Sequence, residues 1–308
     1  MQLIIKFSIL TTNLSKNELE SQLAQSNIKE LLRLEEWIDG NVRCEFTIDY
    51  NEDLLNQLRK TFHEQGIIMG EHYCSVFRNE EYEHAPLFRL ISIGRDSYES
   101  KRTKFKKETI CDHCGFFTYH LDGKLGMNTR QLKNKILVNV DYKHWVLSEE
   151  GAELFAKWGI TGYKLTPVKH TGHKETEIPG YLMTDINLLP KPSQSTITIE
   201  KEGNGCINCK VEGYYSLPIY ESTVTSYMKD INFSTEYHGF GPFGAVRLLY
   251  LSKRLRQLLL ENGYTKEVRN PYIPGKQNMQ IKGWYMDPIQ IKWNAGSDLS
   301  FQQDRKLS

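Results

Sequence analysis

The clearest alternation of apolar and polar positions runs from residue 42 to 49. Val42, Cys44, Phe46 and Ile48 interleave with Arg43, Glu45, Thr47 and Asp49, and predict a half-buried strand with Cys44 on its core side as a small hydrophobe. The apolar opening Met1 to Leu10, interrupted by Lys6, predicts a first strand. Ser15-Lys16-Asn17-Glu18 is a capping box flanked by Leu14 and Leu19 as a hydrophobic staple, so a helix is expected to start there. Leu54, Leu55, Leu58 and Phe62 mark one face of a second helix, from near Asn51 to Gly66. Further strands are expected at Tyr73 to Phe77, around Cys74, and at Leu87 to Ile93. Between them lie Glu80, Glu81, Glu83 and His84, expected to form a solvated hairpin turn in preference to a metal or acid/base cluster. Residues 1–100 are thus expected to form an α/β module.

Downstream the pattern repeats. Ile136 to Val140 and Trp145 to Leu147 lead to Ser148, then to an apolar face of Leu154, Phe155 and Trp158, then to Gly159 and the strand-like Gly162 to Leu165. Ala245 to Leu251 leads to Ser252, then to Leu255, Leu258 and Leu259, then to Gly263 and Tyr264. In both copies the serine stands eleven residues before the glycine. That interval predicts an N-capping hydroxyl and a C′ glycine bracketing one helix of about three turns.

Each copy is preceded by its own cysteine pair, Cys111-Asp112-His113-Cys114-Gly115 and Cys206-Ile207-Asn208-Cys209. Two Cys-x-x-Cys pairs supply the four thiolates of a tetrahedral zinc site, and two intervening residues are what a tight turn needs to aim both sulfurs at one ion. The pairs are separated by residues 115–205, a far longer interval than in a compact zinc ribbon, so the metal is expected to clip two distant segments. Disulfide or redox use is the alternative. A thioredoxin-type motif would open a helix, whereas Gly115-Phe116-Phe117-Thr118-Tyr119 has the composition of a strand. The opening residues lack a small-residue cleavage site, so an oxidising compartment is not indicated and a cytoplasmic location is expected. A site closed by four thiolates leaves no open position for substrate, which points to architecture and not to catalysis.

Composition narrows the classes further. At 39% hydrophobic and 11% aromatic residues the 308-residue chain can build real cores, and its length suits two or three modules. The net charge of +1 removes the electrostatic footprint of a dedicated nucleic-acid binder. Lys101-Arg102-Thr103-Lys104-Phe105-Lys106-Lys107 is locally basic, expected as a solvated linker, with phosphate contact as the alternative; Phe105 alone does not make a stacking platform. Gly239-Phe240-Gly241-Pro242-Phe243-Gly244 matches the dinucleotide fingerprint in letters, but it contains a proline and runs into a strand where the mechanism needs a helix. His170 and His173, between the copies, lack a cysteine or carboxylate frame and are expected in an exposed loop. Pro271 to Gly275 is expected as a turn, Trp284 to Trp293 as a last aromatic strand stretch, and 294–308 as a flexible tail.

With both cysteine pairs and both serine-to-glycine helices in view, residues of about 108 to 290 resemble the bacterial double-CxxCG motif proteins. The resemblance rests on Cys111-Asp112-His113-Cys114-Gly115, on Cys206-Ile207-Asn208-Cys209, and on Val146-Leu147-Ser148 leading to Gly159-Ile160-Thr161-Gly162-Tyr163. Members of that family are regarded as cytoplasmic immunity proteins, which implies a cognate protein toxin as partner. Lys210 stands where the second motif's glycine should be, and residues 1–100 have no counterpart. The expected architecture is α+β: an N-terminal α/β module, then a duplicated α+β domain over 108–293 whose halves, about 108–190 and 200–293, share a structural zinc on Cys111, Cys114, Cys206 and Cys209. No catalytic residue, small-molecule substrate or membrane is expected. The alternative class is a zinc-containing nucleic-acid-binding protein using residues 101–107.

Overall fold

The computed structural model describes residues 1–37, 39–92, 96–201, 205–239, 244–265 and 284–292. Most of the glycine-rich Gly239 to Gly244 run, the Pro271 to Gly275 turn, Trp293 and the tail 294–308 lie outside the described residues. The fold is mixed α+β. It separates into two compact units, one over Met1–Glu83 and the other beginning with His84–Glu267. No helix among the described residues is long and apolar enough to cross a membrane.

The first unit runs β1 (Gln2–Thr11), α1 (Lys16–Ala24), β2 (Glu30–Glu36), β3 (Val42–Asp49), α2 (Glu52–Glu64) and β4 (Met69–Val76). Ser15 and Glu18 form the expected reciprocal cap on α1, and the Asn51 side chain accepts the Leu54 N–H at the start of α2. Leu19 and Leu23 of α1 and Leu55, Leu58 and Phe62 of α2 are buried. Strand order is β2-β3-β1-β4 with every pair antiparallel, the split β-α-β arrangement. The unit is therefore α+β; the parallel pairing of an alternating α/β module is absent because β2 and β3 are adjacent strands of one hairpin.

Two local expectations in this unit are corrected. The acidic cluster after β4 is not a hairpin turn but a helix, α3 (Asn79–His84). Glu81 accepts the Arg78 N–H at 2.8 Å, which satisfies an orphan donor at the helix start, and Tyr82 is buried. Strand β3 is buried on both sides: Val42, Cys44, Phe46 and Ile48 as expected, but also Glu45 and Thr47. Glu45 is tolerated because Lys6 and Arg43 each place a nitrogen 2.7 Å from its carboxylate. Burial pushes the Cys44 thiol up to about 12, with the Glu45 charge adding to it, so this cysteine is an inert core residue.

The second unit begins with β5 (Leu87–Ser92), β6 (Phe105–Thr109), β7 (Phe117–Leu121), β8 (Gly126–Met127), β9 (Leu137–Val140) and β10 (His144–Ser148). Helix α4 (Glu149–Lys157) follows, then β11 (Lys164–Pro167), β12 (Lys169–His170), β13 (Gly180–Thr184) and β14 (Asn187–Leu188). The chain goes on through β15 (Ile197–Glu200), β16 (Tyr214–Leu217), β17 (Ile219–Glu221), β18 (Ile231–Phe233), β19 (His238–Gly239), β20 (Ala245–Val246) and β21 (Leu249–Ser252). Helix α5 (Lys253–Glu261), β22 (Trp284–Pro288) and β23 (Gln290–Lys292) close it. Ser148 and Ser252 cap α4 and α5 through the N–H groups of Gly151 and Leu255, both at 3.1 Å, and Gly159 and Gly263 end them with φ of +62° and +71°.

Two larger sheets carry this unit, in the orders β11-β13-β10-β9 and β14-β18-β21-β5-β22. One packs on Leu125, Met127, Val138, Val140, Val146 and Leu182, the other on Leu87, Leu189, Tyr220, Val224, Tyr250 and Ile289. Strand β5, which periodicity placed with the first module, pairs with β21 and β22 at the far end of the chain. Tyr285 on β22 is buried in that sheet and Trp284 half-buried, so this stretch is a strand as its aromatic pattern predicts.

Burial alone would raise the Glu45 carboxyl, but the bonds from Lys6 and Arg43 outweigh it and hold the group below its ordinary value. A depressed folded-state pKa contributes stability above the unfolded value that is lost as pH falls through the folded one. Glu45→Gln is expected to cost about 2 kcal/mol at pH 7, with the gap to wild type closing in acid; denaturant melts across pH 3–7 check it. An equal cost at every pH would contradict it.

Candidate metal centre

Both cysteine pairs sit at the tips of antiparallel hairpins. In the first, β6 and β7 pair up to Thr109 opposite Phe117, and the Ile110 N–H donates to the Phe116 carbonyl at 2.7 Å. The loop then closes on itself through Gly115 N–H to Cys111 carbonyl, 2.8 Å, with Gly115 at φ +71°. In the second, β15 and β16 pair up to Glu200 opposite Tyr214, extended by Lys201 N–H to Gly213 carbonyl. Its loop closes through Lys210 N–H to Cys206 carbonyl at 2.9 Å. Lys210 takes φ +50°, so the residue that departs from glycine still adopts the left-handed conformation the turn requires.

The two tips bring Cys111, Cys114, Cys206 and Cys209 together with all four sulfurs within 4.8 Å of one another. Cys111 and Cys206 are 3.9 Å apart and Cys114 and Cys209 3.7 Å. A tetrahedron with metal–sulfur bonds of 2.3 Å has edges of about 3.8 Å, so the donor set fits one ion. All six cysteines are free thiols. The site is dry on one side, where Cys111 packs with Phe116, Val211 and Ala245, and open on the other, where Cys114 is exposed.

Electrostatics within the cluster are uneven. Backbone N–H groups, that of Cys209 above all and then Asn208, hold the Cys206 thiol down to about 6. At Cys114 the Phe116 N–H favours the thiolate, but partial loss of water and the three other sulfurs together push it up to about 12. Four sulfurs this close resist shared ionisation, and a cation between them removes the repulsion.

The remaining short hairpin, β19–β20, lies beneath both tips. A Cβ on Gly239 would stand 2.6 Å from the Val211 carbonyl oxygen, and one on Gly244, at φ +78°, 2.7 Å from that of Phe117. The buried Thr118 hydroxyl donates to the Ala245 carbonyl at 2.7 Å. These outer glycines of the dinucleotide-like run thus permit close backbone approach to the cysteine hairpins. Sequence reasoning missed that role because the backbones they pass are remote along the chain.

The other candidates fall elsewhere. His170 has both ring nitrogens engaged, Nδ1 with Thr129 at 2.8 Å and Nε2 with the His173 carbonyl at 2.9 Å, so the pair braces its loop. The basic segment is not a linker throughout: Phe105 to Lys107 are the first three residues of β6. Phe105 stacks on His144 and meets Tyr119, Lys107 lies 4.1 Å over Phe117, and Lys143 lies 5.0 Å over Tyr119. Those aromatic partners come from other strands, which is why the segment read in isolation offered only Phe105.

The turn geometry makes two opposite predictions. Lys210→Gly relieves a left-handed side chain and is expected to stabilise the protein by about 1 kcal/mol. Gly115→Ala, whose new Cβ meets nothing within 4 Å, imposes the same strain and is expected to destabilise by about as much. Thermal unfolding of the metal-loaded variants reads both; shifts of the same sign would contradict the equivalence of the two turns.

No protein family, curated protein or solved structure matches this chain. The chemistry assigned to it is therefore that of four sulfurs on two hairpin tips.

Proposed function

We propose that this chain is a cytoplasmic binding protein with a structural zinc, an immunity protein that captures and neutralises a cognate protein toxin and performs no chemistry of its own. The observation that carries the metal half is the set of four sulfurs within 4.8 Å, drawn from two hairpins and leaving no position for a substrate. Four soft thiolates in a tetrahedral set favour zinc or iron over hard cations, and zinc is the ion proposed. The four ligands are Cys111, Cys114, Cys206 and Cys209. The paired hairpins and the two serine-capped helices of equal length support reading the second unit as a duplicated domain sharing that ion. The toxin half is carried by the resemblance of both cysteine pairs and the Ser148 helix to the double-CxxCG motif proteins.

A second reading, a nucleic-acid-binding zinc protein, draws on the ribbon β6–β7, where Lys107 and Lys143 lie over Phe117 and Tyr119. Lysines already cover those ring faces, and the chain's net charge of +1 gives little long-range attraction for phosphate. Binding to single-stranded DNA or RNA that weakens steeply with salt would favour this reading over the first.

Elemental analysis of protein purified without added metal is expected to find about one zinc per chain, absent from the Cys111→Ser/Cys206→Ser variant. Iron in its place would keep the site and change the ion; no metal in the wild type would remove the first half of the proposal. Capture on immobilised wild-type protein from the native host, with toxin present, is expected to retain the toxin. Retention of no protein would remove the second half.

A further inference from the structure

The two sheets of the second unit pair alike, residue for residue. Ser148 faces Gly180 and Ser252 faces Leu87. The next amide in each case, Glu149 or Lys253, donates to the carbonyl of the proline just before the facing strand, Pro179 or Pro86. On the opposite side Leu147 faces Leu137 and Leu251 faces Ile231, while the amides of Ser148 and Ser252 donate to Ile136 and Asp230. At the outer strands Pro167 faces Tyr181 and Pro288 faces Phe88.

The match extends beyond the sheets. Strand β8 runs parallel to β12 as β17 does to β23. The Ser100 amide donates to Gly126 and the Ser193 amide to Ile219, both at 2.7 Å. The amides of Gly126 and Ile219 in turn donate to the hydroxyls of Thr103 and Thr196, at 3.1 and 3.2 Å. Each half therefore has a Ser-x-x-Thr clasp at the same place before its cysteine hairpin.

One element breaks simple succession. The strand between β10 and β11 in the first sheet is β13, which lies in the chain just before the second cysteine hairpin. Its counterpart between β21 and β22 is β5, which lies before the first.

We propose that the second unit is a fused dimer with reciprocal strand exchange: two repeats, beginning at Pro86 and Pro179, each of which gives its first strand to the other's sheet. This rests on the duplication proposed above but moves its boundaries, since β5 belongs to the first repeat and β13 to the second. At a two-fold axis a residue meets its own equivalent. The close sulfur pairs, Cys111 with Cys206 and Cys114 with Cys209, are both pairs of equivalents, so the four-cysteine site straddles that axis. Exchange interlocks the halves without help from the metal. Phe88 on β5 and Leu182 on β13 are buried in the sheet of the other repeat, and the ion's task narrows to fixing two hairpin tips.

The test uses the full chain with a specific protease site inserted between Lys174 and Glu175, exposed in the connection between the repeats. After cleavage of the folded protein, both pieces are expected to co-elute at the uncut position with zinc and also in chelator with reductant, parting only in denaturant. Pieces that carry one zinc but part on chelation would overturn the exchange and leave the zinc clip standing. Pieces that stay together with no zinc ever bound would support the exchange and remove the zinc reading. In the uncut chain, Phe88→Ala is expected to lower amide protection in β21 and β22 more than in β9 and β10. The reverse order would overturn the exchange.

Discussion

Four sulfur atoms within 4.8 Å of one another set the strictest condition in this protein. Thiolates at that spacing repel, and a tetrahedral ion tolerates little error in where they sit. The chain meets the condition with backbone. Each cysteine pair is held in a loop closed by an amide-to-carbonyl bond at the tip of a paired ribbon, and each loop ends in a left-handed residue, Gly115 or Lys210. Beneath them, Gly239 and Gly244 let a third hairpin come close enough to support both tips. Removing any of these would displace a sulfur without touching a ligand.

The rest of the second unit is arranged to present those two tips face to face. Helices α4 and α5 start and stop on the same signals, and the strands around them pair in the same registers. Under the proposed exchange the sheets hold each other through β5 and β13, which separates two tasks. Apolar burial makes the unit stable, and the proposed ion would fix the outward-facing loops. The proposed binding role would gain from that division, because exposed loops pre-ordered by a metal would lose little entropy on meeting a partner.

Features whose partners lie within a few residues were legible in the sequence: the Ser15 capping box, the Ser148 and Ser252 caps with their glycines, and the turn geometry of the first Cys-x-x-Cys. Remote pairing was not. Nothing near Leu87 says that its neighbours are Ser252 and Ile289, because a strand's partner is chosen by the whole sheet. The burial of Glu45 was hidden for the same reason, since Lys6 sits on another strand. The acidic residues of α3 misled because charge suggested a turn, whereas Glu81 reaches back to the Arg78 amide and starts a helix. Lys210 concealed a turn that its backbone makes all the same.

The central claim is that one ion is shared by both hairpins, and X-ray absorption at the zinc edge of the purified full-length protein tests it most directly. The prediction is a single first shell of four sulfurs at about 2.3 Å, with no nitrogen or oxygen scatterer. A shell of two sulfurs completed by nitrogen or oxygen would mean that the two tips do not close on a common ion, and would contradict the shared metal site proposed for the second unit.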